Sequence, residues 1–438
     1  MPVISGLLTP MEQILTTHSK FMKLLVVTGL YSPQLLGQFV RKSKGDVQNS
    51  ANVFQWCVVE GLIKNGVECE VVSLPFLPSP PAYRGVVVPS GEICFEGAKI
   101  GRSLTYCNLP VAKRWFIRRA LERYLWSWLE RCKGDEPLVV LTYSTYTPFL
   151  KAIECVKRQS GRKITVVSIV TDFTDVAAVD GKHIHTRLVQ HLRNIQTRKE
   201  MRDTRRLYDS IDGYVLLTKY MTERIPSVGD SYVVVEGVAS PQPLTLLAKD
   251  DAQRTLLYTG VLADFACIRE LLSAFRKTTN PNFRLVMCGI GPLASEVESA
   301  AAADNRIVFK GLVTRNEAVQ LQRSATALIN PRMPHSEITR YSFPSKTMEY
   351  LASGTPMMGY RLEGIPEEYY DHFYTIDALD VDTLSARIEQ VLSLPQSELD
   401  RKATEAYAFV ASNKTSEVQA RKIADFMSSL ICRVNESA

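Results

Sequence analysis

Apolar runs alternate with helical patterns along most of the chain. Residues 23–28, 136–143 and 163–173 are rich in valine, isoleucine and leucine and hold few charges, which predicts buried parallel strands. Residues 51–66 and 111–133 instead carry apolar side chains at helical spacing. Strands that alternate with helices predict an α/β fold of doubly wound, Rossmann-like domains.

The same alternation starts again after a polar, proline-containing stretch. Residues 254–260, 283–292, 306–313 and 326–332 are further strand candidates and predict a second sheet. The predicted organisation in chain order is an N-terminal extension at 1–21, a first domain at 22–238, a linker at 239–252 and a second domain at 253–414.

Two segments lack a clear pattern. Residues 29–48 contain three glycines, and residues 75–110 are rich in proline and glycine. We expect a long loop in the first segment and an irregular excursion in the second.

The composition limits the class of protein. The chain has 438 residues, enough for two or three domains, and 45% of them are hydrophobic, which supports large cores. The net charge of +6 is mild and does not by itself indicate nucleic-acid binding. Nine scattered cysteines without a CxxC pair predict reduced thiols in a cytoplasmic protein and no structural zinc site. We expect neither a signal peptide nor a membrane span.

Candidate chemistry is concentrated in residues 330–369. A helix is predicted to begin near Pro344, with Ser342 or Ser345 as its cap, and to end at Gly354. A short apolar strand follows this helix. The carboxyl ends of the strands on either side are places where ligands of parallel sheets bind.

Lys346 and Glu349 are three residues apart on this helix and therefore share a face. A lysine in the first turn adds its charge to that of the helix N-terminus, which suits a phosphate. A glutamate one turn later can accept hydrogen bonds from the two hydroxyls of a ribose. The pair therefore indicates a nucleoside-diphosphate site, although an ordinary surface pair on a helix explains the same spacing.

This stretch resembles the C-terminal signature of the family 4 glycosyltransferases, in particular a bacterial polysaccharide-biosynthesis subgroup. The residues that carry the resemblance are Asn330-Pro331-Arg332, Ser342 to Lys346, and Glu349 to Leu351. The resemblance implies a retaining transferase of the GT-B fold, in which two Rossmann-like domains face a cleft. It also implies that the last helix, at about 415–438, packs back on the first domain.

The resemblance further implies that the second domain binds a sugar nucleotide, UDP- or GDP-linked. Arg332 and Lys346 would neutralise the diphosphate leaving group, so that neither a metal nor another cofactor is required. Glu349 would hold the ribose, and Tyr341 would contact the transferred sugar. The remaining donor-binding residues are expected at strand ends and at the helix start: Gly260, Gly289, Gly291, Leu312 and Ser345.

The acceptor site is expected in the first domain. Gly45 and Gln48 lie in the loop after the first strand, which frames the acceptor cleft in the family. Asp172 lies at the end of a buried strand and could orient an acceptor hydroxyl or accept its proton. A plain loop and a helix cap explain these two features equally well.

Two positions depart from the family pattern. Tyr341 stands where most members have the first of two glutamates, and no lysine-glycine pair follows Gly260, although Arg269 could take the place of that lysine. These departures keep open a non-catalytic sugar-nucleotide-binding partner. A nucleotide-sugar epimerase or a phosphorylase of the same fold is a further alternative. A nicotinamide-dependent dehydrogenase is disfavoured, because its GxGxxG fingerprint is absent from the sequence.

Two basic segments, 111–133 and 182–206, are candidates for peripheral contact with an anionic membrane. A solvated helix is the alternative for each of them. Together with the resemblance, they predict an enzyme at the inner face of the membrane that acts on a glycan or a lipid-diphosphate-linked acceptor. Capsule, exopolysaccharide or O-antigen assembly would be its setting.

Overall fold

The computed structural model describes residues 22–44, 49–110, 112–171, 173, 202–244, 246–249, 252–334 and 336–436. The chain divides into two compact units, of which the first comprises Met1–Val235 and Ser416–Ala438 and the second Glu236–Thr415. Each unit has its own sheet and its own apolar core.

Within the described residues, the first unit has an eight-stranded sheet and a separate two-stranded one. Their strands are Lys23–Thr28 (β1), Cys69–Ser73 (β2), Val87–Val88 (β3), Gly91–Phe95 (β4), Ala98–Ser103 (β5), Tyr106–Cys107 (β6), Leu138–Tyr143 (β7), Ile164–Val170 (β8), Gly213–Leu216 (β9) and Tyr232–Val234 (β10). The large sheet has the order β10-β9-β8-β7-β1-β2-β5-β4, and β3 pairs with β6. Strands β1, β7 and β8 are buried almost throughout, as their apolar runs predict.

Helices of the first unit that precede the second unit include Pro33–Lys42 (α1), Asn49–Lys64 (α2), Lys113–Arg131 (α3) and Thr147–Ser160 (α4). Helices α2 and α4 stand between parallel strands, as crossover connections of a doubly wound sheet require. Helix α4 buries one apolar face and is capped at its C-terminus by Gly161, whose φ of 65° is left-handed.

Two expectations for this unit are wrong. Residues 29–48 are not one loop, because α1 begins at Pro33, a position where a helix needs no N–H donor. Residues 75–110 are not irregular throughout, because β4 and β5 form an antiparallel hairpin that extends the main sheet. Its turn, Glu96-Gly97, has positive φ at both residues, which matches the twist of a tight hairpin.

Within the described residues, the second unit has a sheet of six parallel strands. The strands are Arg254–Thr259 (β11), Phe283–Cys288 (β12), Ile307–Gly311 (β13), Ala327–Asn330 (β14), Met357–Tyr360 (β15) and Tyr374–Ile376 (β16). Their order is β13-β12-β11-β14-β15-β16, which is the order of doubly wound nucleotide-binding domains. Successive strands are added on one side of β11 up to β13 and on its other side from β14 onward, so the strand order reverses between β11 and β14.

The helices of the second unit are Ile268–Lys277 (α5), Ala294–Ala303 (α6), Arg315–Ser324 (α7), Glu337–Arg340 (α8), Ser345–Leu351 (α9), Val381–Leu392 (α10) and Gln396–Asn413 (α11). Helix α7 begins with a capping box in which Thr314 and Glu317 satisfy each other's backbone N–H groups. None of the helices in the described residues combines the length and apolar character that a membrane crossing requires.

The last helix, Ser416–Glu436 (α12), belongs to the first unit. It packs against α2 so closely that a Cβ on Gly61 would lie 2.0 Å from the Ser416 carbonyl oxygen. Just before this helix, Ala239 donates its backbone N–H to the Lys414 carbonyl oxygen at 2.7 Å and forms a parallel bridge with Thr415. The beginning and the end of the second unit therefore lie side by side.

Candidate functional site

The candidate site lies at the C-terminal ends of the strands in the second sheet, which is called the carboxyl edge below. Ligands of doubly wound sheets bind beyond the carboxyl strand ends, at the point where the strand order reverses. In this unit that point is between β11 and β14, which end at Thr259 and Asn330. The residues predicted to bind the donor follow these strands and their neighbours.

Glycines allow the loops after β11 and β12 to lie backbone against backbone. A Cβ on Gly289 would lie 1.8 Å from the Gly260 carbonyl oxygen, and its φ of 146° also favours glycine. A Cβ on Gly291 would lie 2.2 Å from the Leu262 carbonyl oxygen. Close contact with the loop after β11 is therefore one reason why glycine occupies positions 289 and 291. All three are partly exposed, so that a ligand can also reach the backbone here.

Lys346 and Glu349 of α9 meet at the end of β11. The Lys346 Nζ lies 3.0 Å from both carboxylate oxygens of Glu349 and donates to the Thr259 hydroxyl at 3.3 Å. The Gln322 Nε2 of α7 donates to Glu349 Oε1 at 2.6 Å and to the same hydroxyl at 3.2 Å. A cation and a carboxylate are thus held together at a carboxyl strand end.

Tyr350 anchors this cluster from inside the unit. Its hydroxyl accepts the backbone N–H of Thr259 at 2.9 Å and donates to the Thr259 carbonyl oxygen at 3.2 Å. Burial raises the pKa of Tyr350 above its usual value, so that the phenol stays neutral and can donate. The end of β11 is therefore fixed against α9.

Arg332 lies in the loop after β14, the strand next to β11. Its Nη2 donates to the Ser342 hydroxyl at 3.2 Å, and its guanidinium lies 5.7 Å from the centre of the Phe265 ring. The Phe265 carbonyl oxygen accepts the N–H of Met333 at 3.0 Å, which joins the loops after β11 and β14. Arg332 and the partly exposed Tyr341, which precedes Ser342, therefore belong to the same edge.

The start of α9 differs from its prediction. Ser345 is the first helical residue, Pro344 is the cap, and this cap makes no side-chain hydrogen bond, so the expected serine cap is wrong. Ser342 accepts a hydrogen bond from Arg332 instead. The end of the helix agrees with the prediction, because Gly354 adopts a left-handed φ of 76°.

Exposed apolar side chains follow the ends of three adjacent strands. Val261 follows β11, Ile290 follows β12, and Leu312 follows β13 with 66% of its surface exposed. Backbone bonds join their loops, since Gly289 donates its N–H to the Gly311 carbonyl oxygen at 2.8 Å. An apolar surface beside fixed polar groups suits a planar nucleobase.

Two lysines lie near the end of β12. Burial raises the pKa of the Cys288 thiol, while the nearby charges of Lys310 and Lys346 act in the opposite direction. These two lysines belong to different elements, β13 and α9. Two cations from separate elements therefore lie near this strand end.

Comparison with known proteins finds a family similarity in the second unit. Residues 253–394 match a family model described as Glycosyl transferases group 1. The matched segment is about a third of the chain and lies inside the second unit. A search of curated proteins finds no sequence match.

Solved structures resemble nearly the whole chain at low sequence identity. The lipopolysaccharide outer core galactosyltransferase WaaB aligns with a TM-score of 0.60 and 13% identity, over 93% of this chain and 99% of that one. Sucrose-phosphate synthase from Thermosynechococcus elongatus gives 0.61 and 13%, over 95% and 100%. Anabaena HepE in complex with UDP gives 0.58 and 12%, over 93% and 100%.

The chain has the GT-B fold. At these identities the similarity to solved structures shows the fold alone, and it confirms the prediction of two Rossmann-like domains. In this GT-B chain the second unit carries the family match, and all the residues predicted to bind the donor lie in that unit.

The GT-B chain has no lysine directly after Gly260, and Arg269, which could take its place, is paired with carboxylates. The Arg269 guanidinium donates to both carboxylate oxygens of Glu296, at 2.6 and 2.7 Å, and also to Asp264. Two carboxylates thus face this one cation, and the hypothesis that Arg269 binds a donor phosphate stays a prediction.

The predicted acceptor residues of this GT-B chain, Gly45, Gln48 and Asp172, lie outside the described residues. Most of the basic segment 182–206 lies outside them as well. The roles assigned to these residues therefore stay predictions.

The other basic segment, 111–133, forms α3. Trp115 and Trp126 are exposed on it, the first to 54%. Arg118 and Arg119 donate to Glu122 at 2.6 and 3.0 Å, which neutralises part of the positive charge. The helix thus exposes aromatic side chains next to partly paired arginines.

Sequence reasoning missed Thr259, Gln322 and Tyr350. Gln322 is 63 positions from Thr259, and Tyr350 is 91 positions from it. A threonine at a strand end and a glutamine within an amphipathic helix give no local signal of this contact. A predicted strand order would have been needed to bring β11, α7 and α9 together.

A second lysine–glutamate pair lies inside the same unit. Lys414 donates to the Glu236 carboxylate and, at 2.6 Å, to Glu368, while the Tyr369 hydroxyl donates to Glu236 at 2.6 Å. The side chains of Lys414 and Glu236 are only 3% and 4% exposed. Burial opposes ionisation of Glu236, but Lys414 and Tyr369 outweigh it and lower the pKa of this carboxyl below its usual value.

Proposed function

We propose that this protein is a retaining, metal-independent glycosyltransferase that takes a hexose from a UDP- or GDP-linked sugar. The acceptor is a glycan or a lipid-diphosphate-linked sugar in surface polysaccharide synthesis, such as capsule or exopolysaccharide assembly. The match of residues 253–394 to Glycosyl transferases group 1 and the GT-B fold support sugar-nucleotide chemistry. The resemblance of residues 330–369 to the family 4 signature supports retention and the polysaccharide setting.

The observation that carries the proposal is the cluster at the end of β11. Lys346 presents a cation that is held 3.0 Å from Glu349 and is one-third exposed, so a phosphate can replace the carboxylate as its partner. Glu349 then has oxygens available for the hydroxyls of a ribose. One helix face thus offers complementary groups to two parts of a nucleoside diphosphate.

Charge neutralisation is the chemical contribution of this site. When the bond between sugar and diphosphate breaks, negative charge develops on the leaving group. Lys346 and Arg332 stabilise that charge by electrostatic interaction, which lowers the barrier without a divalent metal. Ser345, at the start of α9, lies next to Lys346 and contributes a hydroxyl to the same region.

The rest of the donor is bound by the neighbouring strand ends. The exposed side chain of Leu312 contacts the base, and the backbone at Gly260, Gly289 and Gly291 approaches the sugar and the phosphates. Tyr341 contacts the transferred sugar, where it supplies a hydroxyl but no negative charge. Among the similar solved structures, Anabaena HepE forms a complex with UDP and glucose, which supports this class of donor.

The acceptor is held by the first unit. Gly45 and Gln48 frame its binding site, and Asp172 orients the attacking hydroxyl or accepts its proton. The exposed tryptophans and arginines of α3, with the basic segment 182–206, keep the enzyme at the cytoplasmic face of a membrane that carries a lipid-linked acceptor.

A second candidate function is a non-catalytic sugar-nucleotide-binding partner. Two observations favour it: Tyr341 stands where most family members have a glutamate, and the lysine-glycine pair expected shortly after Gly260 is absent from the sequence. Such a protein would bind the nucleotide without turning over the sugar.

A thermal-shift screen against UDP, GDP, CMP and their sugar conjugates tests the proposal. A ligand that binds only the folded chain raises its melting temperature by mass action. We expect a shift with UDP or GDP and their sugars, followed by release of the nucleoside diphosphate when a lipid-linked acceptor is added. Binding without release under any acceptor condition would favour the second candidate, and no shift with any nucleotide would overturn both.

A further inference from the structure

Gln322 has an unusual position for an amide on a surface helix. Its side chain is 1% exposed, and its Nε2 donates to Glu349 Oε1 at 2.6 Å and to the Thr259 hydroxyl at 3.2 Å. The two N–H bonds of one amide nitrogen are thus directed at two different partners. This geometry fixes the plane of the amide and, through it, the position of one Glu349 oxygen.

The partner on the other side of Gln322 is itself fixed. Thr259 ends β11, its N–H is bound by the buried Tyr350 hydroxyl at 2.9 Å, and its own hydroxyl lies 3.0 Å from the same phenol. A continuous series of hydrogen bonds thus connects Tyr350, Thr259, Gln322 and Glu349. The orientation of the Glu349 carboxylate is set by the sheet, and not only by its own helix.

Lys346 and Gln322 hold Glu349 in different ways. Lys346 bridges both carboxylate oxygens at 3.0 Å, but it is one-third exposed and has a flexible stem. A phosphate that attracts Lys346 would remove this bridge. Among the hydrogen bonds that the described residues show at Glu349, the one from Gln322 would then remain.

We propose that Gln322 is a positioning residue that directs the Glu349 carboxylate toward the ribose diol and so sets the preference of the site for ribonucleotides. The inference rests on the proposed donor site. With Oε1 held by Gln322, Glu349 retains Oε2 and one lone pair of Oε1 for the two hydroxyls. Without Gln322 the carboxylate is free to rotate, and the hydroxyls lose an oriented acceptor.

The test is the affinity of the full-length chain for UDP and GDP and for their 2′,3′-dideoxy forms, measured by calorimetry. The variant is Gln322→Met, which keeps the size of the side chain and removes both donors. Gln320→Met is the matched control, because Gln320 lies on the same helix and is exposed. The readout is the ratio of ribonucleotide to dideoxynucleotide affinity.

We expect the wild-type chain and Gln320→Met to prefer the ribonucleotide, and Gln322→Met to reduce this ratio about tenfold, roughly the loss of one hydrogen bond to a charged group. Affinity for the dideoxynucleotide should be unchanged in all three, which also shows that Gln322→Met is folded.

Three outcomes contradict the inference. An unchanged ratio in Gln322→Met, or an equal loss for both nucleotides, overturns the positioning role and leaves the proposed function intact. A wild-type chain that binds neither UDP nor GDP overturns the inference together with the proposed donor site.

Discussion

Two lysine–glutamate pairs of the second unit differ in their access to water. Lys346 and Glu349, at the carboxyl strand ends, are 34% and 41% exposed, so that Lys346 can exchange its carboxylate for another anion at small cost. Lys414 and Glu236 are almost completely buried, and separating them would leave a charge with neither water nor a full set of partners. The exposed lysine–glutamate pair is therefore suited to ligand binding, and the buried pair is suited to stabilising the fold.

Exposure, and not ion pairing itself, separates the two roles. Both pairs have short hydrogen bonds and additional partners, Gln322 and Thr259 for the first and Tyr369 for the second. A ligand can compete only for the pair that it can reach. Removing Lys414 should therefore lower the free energy of unfolding, whereas removing Lys346 should lower the affinity for the ligand.

The largest effect is expected for Lys414→Met. This variant leaves the Glu236 carboxylate buried without its cation, which costs about 3–5 kcal/mol of unfolding free energy. Calorimetric melting of the full chain measures the loss. The control is Lys277→Met, whose ion pair with Asp382 is exposed and should contribute about 0–1 kcal/mol. Equal effects of the two variants would contradict the structural role of the buried pair.

For the exposed pair, Lys346→Ala should act on binding instead. We expect the affinity for the sugar nucleotide to fall by about 1.5–3 kcal/mol, the range for a hydrogen bond to a charged group. The melting temperature should stay close to that of the wild type, because surface pairs contribute little stability. Isothermal titration of Lys346→Ala and Lys277→Ala separates the two effects. A Lys346→Ala variant that binds normally would remove Lys346 from the site.

Acid should weaken the buried pair. The pKa of Glu236 is lowered below its usual value of 4.5 by Lys414 and Tyr369 against the opposing effect of burial. A carboxyl with a lowered folded-state pKa contributes stability above about pH 4.5 and loses it as the pH falls through the folded value. We expect the melting temperature of the wild type to fall more steeply below pH 4.5 than that of Glu236→Gln. Parallel curves would show that this carboxyl does not couple to folding.

The smallest effect is expected for Arg269→Ala. Its guanidinium is exposed like Lys346, but it donates to both oxygens of Glu296 and to Asp264. Two carboxylates beside one guanidinium leave a net negative charge, whereas Lys346 faces the single carboxylate of Glu349, so a phosphate is attracted less to Arg269. Nucleotide affinity should therefore change less than about threefold, or under 1 kcal/mol. A loss as large as that of Lys346→Ala would return Arg269 to the donor site.

Much of the fold could be predicted because buried parallel strands have a strong sequence signal. The runs at Lys23–Thr28 and Leu138–Tyr143 are apolar over most of their length, and Arg254–Thr259 is apolar in its centre, since both faces of each sheet are covered. Helix α1 and the β4–β5 hairpin were missed for the opposite reason. They are short, partly exposed and rich in glycine or polar residues, so that tertiary contacts decide their conformation.

The candidate site was predictable only where its residues are neighbours in sequence. Lys346 and Glu349 share a helix face, and helical geometry brings them together. Thr259 and Gln322 join them through the order of strands in the sheet, which local patterns do not determine. The engagement of Arg269 by Glu296 could not be predicted either, because these residues lie on the different helices α5 and α6.

The second unit begins and ends at one place. Ala239 bonds to Lys414 and bridges Thr415, and Glu236 pairs with Lys414 in the same region. A short peptide linking residue 415 to residue 236 would therefore close Glu236–Thr415 into a ring with little strain and little loss of loop entropy. New termini could then be opened in a surface loop, so that a circular permutant of this unit keeps every contact of its sheet.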